Sequence, residues 1–137
     1  MKSEDILALF DSFEKAATQI NGIECWSARS LCQLLGYTDW RNFLNAIEKA
    51  KESCINAGEQ ESDHFVGVNK MVPLGSGSQR SIEDILLTRY ACYLIAQNGD
   101  PRKQEVSFAQ NYFAVQTRRA ELVQQRILES ERVLARK

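Results

Sequence analysis

A chain of 137 residues with 44% apolar and 26% charged side chains describes one globular domain, and a formal charge of −1 excludes a strongly basic or acidic protein. Two prolines and seven glycines exclude collagen-like or linker-dominated architecture. The charge is unevenly divided: residues 1–63 carry eleven acids against six bases (−5), residues 64–137 seven acids against eleven bases (+4), so only the second half leans toward an anionic partner.

The opening stretch alternates acidic and apolar residues and has neither the basic start nor the apolar run of a signal peptide. Ser3 is placed to cap a first helix, with Glu4 and Asp5 in its first turn and Ile6, Leu9, Phe10 and Phe13 forming one stripe. Asn21-Gly22 between Ala17–Ile20 and Ile23–Trp26 predicts a β-hairpin, because both residues accept positive φ. Ser27 caps a short second helix bearing Leu31, Leu34 and Leu35, and Gly36 ends it. Trp40, Phe43, Leu44, Ile47 and Cys54 mark a third helix from Asp39 to Ala57.

Gly58–Asp63 reads as a loop and His64–Val72 as extended. The flexible tip Gly75–Ser78, flanked by Lys70 and Arg80, predicts a second hairpin closed by Arg80–Ile82. Glu83–Gln97 reads as a central helix, apolar nearly all round. Gly99 is expected to end it, with Asp100 and Pro101 as N-cap and first residue of a last helix that shows no stop signal before Lys137. Phe113, Ala120, Ile127 and Leu134 fall seven apart in that helix with Val123 between, a coiled-coil pattern open to self-association that Gln116 and Ser130 at the other seam position weaken. The longest apolar run, Ile85–Ala96, contains Arg89 and falls short of the ~20 residues a membrane span needs, so no membrane partner is expected.

Three groups of residues carry chemistry. The second and third helices have a helix-turn-helix layout that offers Arg41, Asn42, Asn45 and Lys49 to base edges, although Glu48 and Glu52 share that side, this half of the chain is net acidic, and a plain structural αα-corner fits better. Lys70 and Arg80 would form a wing reaching phosphates. Arg118, Arg119, Arg126, Arg132 and Arg136 concentrate guanidinium groups on the last helix, with Tyr112 and Phe113 one turn earlier either stacking on bases or packed in the core. Glu121, Glu129 and Glu131 can pair with several of these arginines. Arg89, among apolar neighbours, needs an acidic partner, for which Asp84, Asp100 and Glu105 are at hand; Arg89–Asp100 is the candidate structural ion pair.

Catalysis is hard to assemble. His64 is the sole imidazole, and Gly75–Ser78 is neither a phosphate-binding loop nor a nucleophile elbow. Cys25, Cys32, Cys54 and Cys92 lack metal-ligand spacing, so the reading is no catalytic residue, no metal, no cofactor, and reduced, buried thiols in a cytoplasmic protein.

The string Trp26–Tyr37 (WSARSLCQLLGY) resembles the opening motif of the Bro-N domain of phage antirepressors and baculovirus repeated proteins. Asp63-His-Phe65, Asp84 through Pro101 with its RYACYLIAQNGDP, and Gln110–Leu122 (QNYFAVQTRRAEL) are similar to the bacterial DNA-damage-inducible protein D family. The resemblance covers about residues 5–125. It implies an α+β, mainly helical Bro-N-like domain over 1–125, with two short β-hairpins and a long C-terminal helix, and with 126–137 as the start of a helical extension. It also implies expression under DNA-damage (SOS) control in a bacterial cytoplasm and action by binding rather than catalysis. The partner would be single- or double-stranded DNA or, alternatively, a recombination or repair protein or a repressor.

Overall fold

The computed structural model describes residues 2–135, with side chains except at 116–125, 127 and 131–135. The order is α1 (Ser3–Ala16), β1 (Thr18–Ile20), β2 (Ile23–Ser27), α2 (Ala28–Leu34), α3 (Trp40–Asn56), α4 (Glu61–His64), β3 (Phe65–Pro73), β4 (Gln79–Thr88), α5 (Arg89–Gln97) and α6 (Gln104–Ala135). Both expected hairpins form, and they join: β2 pairs with β4, giving one antiparallel sheet in the order β1-β2-β4-β3. The class is α+β.

Asn21 and Gly22 make the β1–β2 turn with φ of 54° and 80°, the left-handed conformation that this dipeptide tolerates. The Ser27 side chain accepts the N–H of Ser30 at the start of α2. At its end, Gly36 (φ 76°) allows two closing bonds, Gly36 N–H to Gln33 C=O and Tyr37 N–H to Cys32 C=O, the reciprocal pattern of a Schellman cap. Asp39 caps α3 by accepting the N–H of Arg41 at 2.9 Å.

Five local expectations give way to tertiary structure. Glu83–Thr88 is strand: it pairs with β3, and Leu86–Thr88 pair with β2 as well, with Ile85 and Leu87 on one face and Leu86 on the other, so the consecutive apolar residues imitate a buried helix. The α5 helix therefore begins at Arg89, where the Thr88 hydroxyl accepts the N–H of Ala91. At the N-terminus Lys2 occupies the cap of α1 without a side-chain bond, and Ser3 is already helical. Gly99 has no positive φ; a Cβ there would lie 2.8 Å from Val106 Cγ1, so the glycine permits close packing of α5 on α6. Asp100 and Pro101 form a turn ahead of α6 rather than its first residues, with the Asp100 carboxylate accepting the N–H of Arg102. His64 ends a short helix, and β3 starts one residue later.

The core lies between the helices and one face of the sheet, centred on Phe13, Trp26, Phe43, Ile47, Leu87, Ile95 and Phe113, all fully buried. Trp26 meets Phe113 edge-on, while Phe13 packs against Phe108, Tyr112 and Phe113. Each such side chain contributes about 1.5–3 kcal/mol of apolar burial. The Trp26 indole N–H also donates to the Phe13 carbonyl at 2.9 Å, which fixes the C-terminal turn of α1 on the sheet.

Candidate nucleic-acid interface

Helices α2 and α3 are positioned by a carboxylate from the sheet. Asp84, on β4 and 4% exposed, accepts hydrogen bonds from the Ser27 hydroxyl and from the backbone N–H groups of Arg29 and Ile85. A negative group at a helix N-terminus is favoured by the helix dipole. The Arg29 side chain turns back over β4, donating through Nε to the Glu83 carbonyl at 2.8 Å and stacking 4.2 Å above the Trp40 ring. Lys103, from the turn before α6, donates to the Gly36 carbonyl and lies over the Tyr37 ring, bracing the turn between the two helices.

Helix α3 buries Phe43, Ala46, Ile47, Ala50 and Cys54 and exposes Arg41, Asn42, Asn45, Glu48, Lys49 and Glu52. Arg41 and Asn45, four residues apart, share an outward stripe that Glu48 and Glu52 continue. The donors expected there are accessible but diluted by acid.

The β3–β4 hairpin is longer than the sequence pattern suggested, running from Phe65 paired with Leu87 to Pro73 paired with Gln79. Lys70 stands opposite Ile82 and Arg80 opposite Val72, so the two cations are diagonal neighbours on one face. Both are exposed, and neither enters an ion pair among the described residues. The pleat places Gly67, Asn69, Glu83 and Ile85 on the other face, which forms a cleft of about 330 Å³ with Trp40, Leu44 and Lys51 of α3. Lys70 and Arg80 thus form a pair of their own, on the face of the sheet turned away from α3.

The remaining expected sites separate. Tyr112 is 6% exposed, stacked on Phe108 and edge-on to Phe10, Phe13 and Phe113, and its hydroxyl donates to Glu14; its ring is a core side chain and presents no face to a base. Arg126 is exposed on α6, whereas the side chains of Arg118 and Arg119 lie outside the described residues. Arg89 does form an ion pair, with Glu24 of β2 rather than Asp100, and its guanidinium lies over the Trp26 and Tyr112 rings. Asp100 instead binds Arg102 at the surface, 3.0 Å away. The Glu24 and Glu14 partnerships were hidden in sequence because each joins residues brought together only by the finished fold.

His64 has structural partners: Nδ1 lies 2.7 Å from the Thr88 hydroxyl, and the ring meets Tyr90 edge-on. No His, Cys, Asp and Glu cluster among the described residues could hold a metal ion. The four cysteines are unpaired and buried, and burial pushes the thiols of Cys32, Cys54 and Cys92 up from their ordinary value. No helix among the described residues is long and apolar enough to cross a membrane.

Residues 15–114 match the BRO family, N-terminal domain, a span from the end of α1 to the packed part of α6. Over 102 residues the chain is 52% identical to DNA damage-inducible protein D of Escherichia coli (strain K12), covering 74% of this chain and 37% of that protein. The chain thus spans about a third of the length of this curated relative. Both similarities read from the motifs are present. No solved structure matches.

Proposed function

The chain belongs to the BRO family N-terminal (Bro-N) domain family, and from that premise we propose a non-catalytic module of the bacterial DNA-damage (SOS) response, cytoplasmic, that binds nucleic acid through its phosphates. The observation that carries the reading is the Lys70–Arg80 pair, exposed on one face of a projecting hairpin and without an acidic neighbour in ion-pair range among the described residues. Arg126, exposed on α6, and Arg118 and Arg119 of the same helix would extend the basic surface. Arg41 and Asn45 are the donors available for base edges. The relative's name supports a role in the damage response.

Phosphate contacts predict a steep salt dependence, with log affinity falling by about 0.7–0.9 per contact against log salt. Fluorescence anisotropy with labelled single- and double-stranded DNA at two salt concentrations tests this. Lys70→Ala with Arg80→Ala, or Arg118→Ala with Arg119→Ala, should weaken binding and flatten the slope by roughly one to two contacts. Absence of binding at low salt, or slopes unchanged in both double variants, overturns the proposal. The alternative, a module that binds a recombination or repair protein or a repressor, or that self-associates through the C-terminal helix, is supported by the balanced net charge and the seven-residue spacing of Ala120, Ile127 and Leu134; Phe113, the first position of that repeat, is taken up by the core.

A further inference from the structure

Strand β3 (nine residues) is an edge of the sheet, and among the described residues no strand pairs with its outer rim. The Leu74 N–H bonds to the Ser78 carbonyl, so in this antiparallel hairpin the even-numbered residues of β3 bond to β4. The backbone groups of Gly67, Asn69 and Met71 therefore point outward, ready to receive another strand. Beside them lies the cleft between the hairpin and α3, lined by Trp40, Leu44, Lys51, Phe65, Gly67 and Ile85. Gly67 is what opens it: a Cβ built there meets nothing within 4 Å, and the residue has ordinary φ, so its smallness leaves space rather than relieving strain.

We infer that this edge binds an extended peptide segment of a partner protein by strand addition, with a large apolar side chain seated over Gly67 and an acidic side chain three residues away facing Lys70. The spacing follows from the pleat. Residues opposite Gly67 and Lys70 project to opposite faces, the first toward Trp40 and Leu44, the second toward the exposed cations Lys70 and Arg80. For an antiparallel segment the acid lies on the N-terminal side. Charge selects this occupant over a second copy of the chain. Pairing two β3 strands about Asn69 would set Lys70 diagonally against its own counterpart, and Pro73 would supply no N–H to the ladder.

The inference stands apart from the phosphate-binding proposal, which needs the cations but not the cleft or the strand edge. The probe is a fluorescein-labelled peptide matching the nine residues of β3 in length, rich in valine and threonine, with a glutamate three residues before a phenylalanine. Saturable binding is expected, weakened about tenfold or more by Lys70→Glu and recovered when the peptide glutamate becomes lysine. Gly67→Leu, whose Cβ meets nothing within 4 Å, should fill the cleft, abolish peptide binding and leave DNA binding unchanged. On binding, the amides of Gly67, Asn69 and Met71 should gain protection from hydrogen exchange. Absence of saturable binding, equal binding of a scrambled peptide, indifference to Gly67→Leu, or a dimer whose β3 amides are protected without peptide would each overturn it.

Discussion

The Asp84 carboxylate accepts the backbone N–H of Arg29 at 3.1 Å, joining β4 to the first turn of α2 across 55 residues of sequence. With the Ser27 hydroxyl and the Ile85 N–H as further donors, this buried acid couples the hairpin that carries Lys70 and Arg80 to the helices that carry Arg41 and Asn45. Asp84→Ala leaves those donors without that acceptor and removes the carboxylate from the N-terminus of α2, whose Ser27 cap remains, with an expected loss of about 2–4 kcal/mol. Denaturant unfolding of the purified variant measures it. A loss below about 0.5 kcal/mol would mean that water substitutes for the carboxylate.

Arg89 and Glu24 provide a second check on long-range pairing. The Arg89 side chain is 19% exposed and Glu24 35%, so removing the arginine strands a partly screened acid and uncovers the Trp26 and Tyr112 rings. Arg89→Ala should cost about 2–3 kcal/mol, with Glu24→Gln costing less. Asp100→Ala, at the surface, should leave the melting temperature nearly unchanged. The reverse order would restore Asp100 as the partner of Arg89.

Glycine at position 99 makes a steric prediction. Gly99→Ala should destabilise by about 1–3 kcal/mol through its clash with Val106. Trimming the neighbour in a Gly99→Ala/Val106→Ala double variant should cost less than the two single losses added together, because the smaller side chain accepts the new methyl. Strict additivity would show that the two residues do not meet.

Stability above neutral pH should reflect Tyr112. Burial, then the hydrogen bond and charge of Glu14, push its phenol well above the ordinary tyrosine value. The folded state thus keeps a proton that the unfolded chain surrenders from about pH 10. The contribution is complete below that pH and declines as pH rises toward the raised native value. Tyr112→Phe should flatten part of this alkaline slope, while Tyr37 and Tyr90, also raised by burial, retain the rest. The same variant should lose about 1 kcal/mol at neutral pH, for the hydrogen bond to Glu14, and should leave nucleic-acid binding intact. Loss of binding in a folded Tyr112→Phe would return the phenol to the interface.

Local chemistry was legible wherever a few adjacent residues decide the conformation: the Asn21-Gly22 turn, the Ser27 cap, Gly36 at the end of α2 and Asp39 at the start of α3. The segment Glu83–Thr88 was misread because Ile85, Leu86 and Leu87 are consecutive apolar residues that lie on alternate faces of β4, which removes the alternation that identifies strands and fits helical spacing as well. Thr88, whose hydroxyl caps α5, was the local mark of the true boundary. The exposed cations Arg41, Lys70 and Arg80 could be picked out from residue type alone. Their grouping could not, since it depends on hairpin register and on which face of the sheet α3 covers. Nor could the core role of Tyr112, whose hydroxyl partner Glu14 lies 98 residues away.

The four buried thiols give the protein a set of internal clocks. Cys25, Cys32, Cys54 and Cys92 sit on β2, α2, α3 and α5, none more than 7% exposed. A thiol reagent can reach each only when its own element opens, and the labelling rates, resolved by mass spectrometry of peptides, would rank those openings. Cys54 on α3 and Cys92 on α5, both fully buried, should label last, at the pace of global unfolding. Cys25 and Cys32 should run ahead of them. A ligand that settles on the β3 edge would slow this pair only if the sheet and α2 breathe as one unit.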